Sequence, residues 1–213
     1  MGDDHDLPSI GLVSSIGSPA LTDALASAAD LGLDLAIESG ALDQVPIFGM
    51  LVSFYRAKRS ISEKTLLKKA RQFLVGISSL TKQERHAFSD GLIASGEVDN
   101  FSERVFLLLE QADDFSKPEL MGRIVANFIR GGYDVDVCFM LCSAVNRSYS
   151  KDLYRLRDFR TGVQREPEAA ERLFAAGLLT NGGFDGGGAD QEKQPGGTIY
   201  HLSNLGELLA PLV

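Results

Sequence analysis

The residues that could do chemistry are few and scattered. Cys138 and Cys142 are the only cysteines and stand four apart, so a helix would place both on one face. Their neighbours Phe139, Met140 and Leu141 are apolar, which predicts two buried, reduced thiols rather than nucleophiles, because a reactive thiolate needs an electropositive, partly exposed setting. His5, His86 and His201 have no metal-ligand spacing and His86 reads as a surface residue, so no metal and no cofactor is expected. The carboxylate pairs Asp113-Asp114 and Asp134-x-Asp136 fall at predicted helix ends, where acids cap or are solvated. The glycines at 182–183 and 186–188 lack the following Lys-Ser/Thr of a phosphate loop and read as a flexible tip. No catalytic constellation emerges, and the expectation is a protein that binds rather than catalyses.

Charge is better organised than chemistry. Residues 1–44 carry Asp3, Asp4, Asp6, Asp23, Asp30, Asp34, Glu38 and Asp43 and no Lys or Arg. Residues 56–71 reverse the sign with Arg56, Lys58, Arg59, Lys64, Lys68, Lys69 and Arg71 against Glu63 alone. Between them lies the most apolar run, Val45 to Tyr55, containing Ile47, Phe48, Met50, Leu51, Phe54 and Tyr55. This segment reads as a core helix leading into a solvated Lys-rich helix. The alternatives are a membrane anchor with cations at anionic headgroups, a basic patch for nucleic acid, or an apolar face for a second copy of the chain. An acidic N-terminal helix folding onto the basic face would neutralise it without any partner. A second basic cluster, Arg147, Arg155, Arg157, Arg160 and Arg165, lies further on. The net charge of −8 argues against a dedicated nucleic-acid protein, though not against a local patch. An acidic N-terminus in place of a basic signal region, and the lack of a long uninterrupted apolar run, predict a cytoplasmic protein with no spanning helix.

The elements that must position these residues are helical. With Pro8, Gly11 and Gly17, residues 1–18 read as a flexible acidic arm. Leu21, Leu25, Ala28, Leu31 and Leu35 form a 3.6-period stripe ending at Gly40. Pro46 starts a helix, and Ser62 and Ser102 are candidate N-caps. Thr81-Lys82-Gln83-Glu84 and Ser116-Lys117-Pro118-Glu119 match the capping box. Residues 134–147 are apolar almost throughout, which predicts a central helix. The expected fold is mainly α, an irregular multi-helix bundle over 19–161 followed by a small module with a β-hairpin over 162–213.

That module runs from a helix ending in Ala176-Gly177-Leu178-Leu179, through a Gly-rich tip, to Thr198-Ile199-Tyr200-His201-Leu202 and then Ser203-Asn204-Leu205-Gly206-Glu207-Leu208-Leu209. In this it resembles a winged-helix domain. The resemblance implies a helix-turn-helix-type core with a hairpin wing, a fold that often lays its second helix in the DNA major groove. Here that helix carries Glu166, Glu168 and Glu171 against Arg165 and Arg172, and the tip carries Asp185, Asp190 and Glu192 against Lys193. Such acids repel phosphate, so the module is expected to dock a protein partner, with DNA or an anionic membrane as alternatives.

Overall fold

The computed structural model describes residues 7–58, 61–160, 167–186 and 197–213. The protein is mainly α with one two-stranded antiparallel hairpin, and it divides into two compact units, residues 1–135 and 136–213. The division falls well before the boundary expected near 161.

In the first unit, residues 7–17 depart from the expectation of a flexible arm over 1–18. Helix α1 spans Leu7–Gly17, with Pro8 in its first turn where a missing amide costs nothing. Leu12, Val13 and Ile16 recur one helical turn apart and are buried, and α1 packs against α4 (Pro46–Lys58), α6 (Lys82–Ser95) and α7 (Val98–Gln111). Glycine and proline suggested an arm, but the apolar spacing makes a core helix. Residues 1–6 lie outside the described residues. Ser15 joins α1 to α4: its hydroxyl donates to the Gly11 carbonyl at 2.6 Å and accepts from the Ile47 amide at 2.7 Å. The Ile47 amide belongs to the first turn of α4, where no intrahelical acceptor exists.

The stripe expected to run from Leu21 to Leu35 is split. Helix α2 (Leu21–Leu31) stops at Gly32, whose φ of +77° an L side chain rarely adopts, and α3 (Leu33–Glu38) follows. The break turns Leu31 and Leu35 outward, while Leu21, Ala24, Leu25 and Ala28 remain buried.

Helices α5 (Ile61–Ile77) and α8 (Ser116–Ile129) form the most intimate crossing of the unit. A Cβ on Gly76 would stand 2.2 Å from the Glu119 carbonyl oxygen, and one on Gly122 would stand 2.1 Å from that of Phe73. The two backbones therefore touch directly. Leu67, Ala70, Phe73, Leu74 and Ile77 of α5 and Met121, Ile124 and Val125 of α8 fill the core on either side. Phe88 sets its ring edge-to-face with Phe101 at 5.3 Å and with Phe128 at 5.8 Å, tying α6 to α7 and α8.

Of the four side-chain caps expected in this unit, the Thr81 box forms in full. Thr81 Oγ1 accepts from the Glu84 amide at 3.2 Å and Glu84 Oε2 accepts from the Thr81 amide at 2.6 Å, and α6 ends on the left-handed Gly96. The other three do not form as expected. Helix α5 already includes Ser62; α7 begins at Val98, leaving Ser102 buried inside it; α8 begins at Ser116, whose amide and hydroxyl both donate to Asp114 Oδ1.

The second unit contains α9 (Val135–Arg147), α10 (Ser150–Leu153), α11 (Leu156–Arg160), α12 (Pro167–Ala175), β1 (Leu179–Asp185), β2 (Gly197–Leu202) and α13 (Asn204–Leu209). Helix α9 is amphipathic rather than fully enclosed: Cys138, Phe139, Leu141, Cys142, Ala144 and Val145 are buried, whereas Val135 and Met140 are exposed. The strands pair from Leu179 opposite Leu202 to Asp185 opposite Gly197, with an irregularity between Asn181 and Gly183. At Gly182 the missing Cβ makes room for the His201 ring. The two halves of the motif that resembles a winged helix meet directly. The Ser203 amide donates to the Leu178 carbonyl at 3.0 Å and its hydroxyl donates to the Gly177 carbonyl at 2.8 Å. The same hydroxyl caps α13 by accepting from the Gly206 amide at 3.0 Å.

Candidate interaction surfaces

The structure disperses the first basic patch. Lys64 reaches across to Asp34 of α3 at 2.6 Å, and this hydrogen bond holds the Asp34 carboxyl below the usual carboxylate range. There the acidic N-terminal region neutralises part of the basic helix, with Lys68 adding to the attraction on Asp34. Lys68 stays at the surface with its ammonium 5.8 Å from the Phe115 ring centre. Lys69 is not a surface cation: it is buried and donates to the Glu110 carbonyl at 2.9 Å, at the C-terminal end of α7. Burial lowers its pKa, and the nearby Glu110 and Asp113 oppose that shift. Lys117, which the sequence did not single out, is buried too and pairs with Asp113 at 2.6 Å. Asp113 thus faces two buried lysines, and Lys69 also meets the partial negative charge of the α7 C-terminus. Arg71 is half-buried. Arg56 and Lys58 fall on α4, but their side chains, like Arg59 as a whole, lie outside the description.

The apolar segment is core. Ile47, Phe48 and Leu51 are buried, and Met50 is half-buried with its Cε against Gly11 of α1. Ile47, Phe48 and Leu51 thus pack within the unit, with Met50 partly exposed. The side chains of Phe54 and Tyr55 lie outside the description. Among the described residues, no helix is long and apolar enough to cross a membrane.

The described arginines of the second basic cluster each meet a partner within their unit, Arg155 and Arg160 through surface ion pairs. Arg147 donates to the Ala176 carbonyl at 3.2 Å, and Arg157 to the Val213 backbone carbonyl. Arg155 lies 4.0 Å from Asp158, and Arg160 lies 3.8 Å from Glu207. Arg165 lies outside the described residues. The tightest strut belongs to Arg172, whose Nε and Nη2 grip the buried Asp152 at 2.6 and 3.0 Å. Its guanidinium also lies 6.0 Å from the Tyr149 ring centre.

Two exposed aromatic positions were not singled out in the sequence, Tyr149 beside that strut and Phe174 on α12. Tyr149 is 53% and Phe174 45% exposed, and the Phe174 ring lies against Tyr200 at 5.6 Å between centres. Glu171, one turn before Phe174 on α12, is exposed. Ala169, Ala170 and Leu173 take the buried side of α12, which leaves Phe174 facing outward.

The cysteines are buried as expected. A hydrogen bond with Cys138, together with burial, pushes the Cys142 thiol well up, which keeps it protonated at neutral pH. His86 is exposed, and no three of His, Cys, Asp and Glu converge on a metal-sized site among the described residues. No protein-family model matches the chain, and no curated protein or solved structure is significantly similar to it.

Proposed function

We propose that the protein acts by binding rather than catalysis, and that its C-terminal unit is a winged-helix-like module docking a protein partner. The observation that carries this reading is the exposed Phe174 ring packed against Tyr200, one turn from the exposed Glu171 of α12. Exposed aromatic side chains are enriched where proteins dock, because they supply much apolar area at little entropic cost. The described arginines of the neighbouring cluster each have partners inside the unit, which supports a protein surface over a phosphate-binding one.

The test is photo-crosslinking in cells with a benzophenone amino acid at Glu171, followed by mass spectrometry, in parallel with fluorescence anisotropy on random duplex DNA. A discrete protein adduct that disappears in a folded Phe174→Asp variant supports the reading. Micromolar DNA binding that collapses with salt, without any such adduct, would replace it with a DNA-binding reading centred on residues 147–165.

A further inference from the structure

Arg85 sits near the start of α6 with 2% of its surface exposed. Its Nη1 donates to the Leu80 carbonyl at 2.8 Å. Its Nε and Nη2 are buried as well and find no acceptor among the described residues. These two nitrogens form one flat edge of the guanidinium with two near-parallel N–H bonds, the geometry that fits both oxygens of a carboxylate. The same molecule shows that edge in use, since Arg172 presents Nε and Nη2 to the two oxygens of Asp152. The acid adjacent to Arg85 in sequence is engaged elsewhere: Glu84 Oε2 is held by Thr81, and Oε1 lies 3.3 Å from Arg130 Nε.

We infer that the Nε–Nη2 edge of Arg85 is a receptor for a carboxylate. A buried guanidinium without a counter-charge is among the costliest groups a fold can carry, and water alone would solvate its donors without neutralising it. A monoanion matches the single charge. A phosphate dianion would want a second cation, and the nearby Arg130 is already spent on Glu84 and on the Ser79 carbonyl at 2.6 Å. The carboxylate has two sources. One is a small free acid. The other is the chain's own acidic N-terminal segment with Asp3, Asp4 and Asp6, which leads into α1, the helix packed on α6.

The experiment is thermal melting of the full chain in sodium acetate against sodium chloride, at equal pH and ionic strength. Wild type, Arg85→Gln and a triple Asp3→Asn/Asp4→Asn/Asp6→Asn variant are compared. For a free acid, the wild-type Tm rises by roughly 3–6 °C per tenfold increase in acetate above half-filling, and Arg85→Gln does not respond. For the chain's own aspartates, wild type is insensitive and the triple variant gains the acetate response. If Arg85→Gln does not fold, the Arg85 Nε–H resonance in 15N spectra reads the site directly and shifts on acetate titration. No acetate response by melting or by NMR in either wild type or the triple variant overturns the inference.

Discussion

At the scale of single residues, the strongest sequence signal was the local one. Thr81 and Glu84 declared a helix start through a short-range rule, and both reciprocal hydrogen bonds form. Thr81→Ala should therefore cost about 1 kcal/mol in urea denaturation. The Thr81 backbone and side-chain hydrogen bonds, assisted by Arg130, hold the Glu84 carboxyl below its ordinary value. A depressed carboxyl contributes stability that is present above the unfolded pKa, about 4.3, and is lost as pH falls through the folded value. Glu84→Gln should thus unfold at lower urea than wild type at pH 7, and the gap should close on acidification below about pH 4. Equal midpoints at pH 7 would show that the Glu84 charge adds nothing, since a glutamine amide oxygen can still accept from the Thr81 amide. The Arg172–Asp152 pair was not legible, because residues in different helices are brought together only by the fold. Arg172→Ala strands a buried carboxylate and should destabilise the second unit by about 1–3 kcal/mol, read from its melting transition. Lys69 was illegible for the same reason. A lysine in a basic run looks solvated until a neighbouring helix end offers it carbonyl oxygen.

At the scale of elements, most helices were visible in the sequence because apolar residues recur every three or four positions. The failures mark places where one rule overrode another. Pro8, Gly11 and Gly17 suggested an arm, but Leu12, Val13 and Ile16 gave α1 enough apolar surface to become core. Ser102 looked like a cap, yet the helix began at Val98 and enclosed it. Ser15 caps α4 from a different helix, and no local pattern announces such a bond. The α5–α8 crossing was equally hidden, since a glycine inside a helical pattern normally argues against the helix. Gly76→Ala and Gly122→Ala should each force the backbones apart and cost roughly 1–3 kcal/mol or more, with a matching fall in Tm. An unchanged Tm for both would mean that the helices separate freely. Gly91→Ala, at an exposed glycine of α6 where an added Cβ meets nothing within 4 Å, serves as a control for the change in helix propensity alone.

At the scale of the whole molecule, the apolar periodicity pointed to a mainly α chain with a C-terminal hairpin, as observed, but composition misplaced the division. Composition shifts near Gly162, whereas the compact units separate after Val135 because α9 groups with the later helices and the hairpin. Tyr133, whose hydroxyl donates to the Ile124 carbonyl at 2.7 Å, still belongs to the first unit. Each unit has its own buried apolar residues, so separate fragments of residues 1–134 and 135–213 should each give a helical circular dichroism spectrum and a cooperative melt. A fragment that is soluble but melts without cooperativity would show that it depends on the other for its core. The bare contact between Gly76 and Gly122 also bears on descent. Side chains around a core drift and compensate for one another over generations, but no partner substitution can make room for a methyl group between two touching backbones. Chains that share this ancestry should therefore retain glycine at both positions after the rest of the sequence has diverged beyond recognition, and the paired glycines offer a mark by which distant kin could be found.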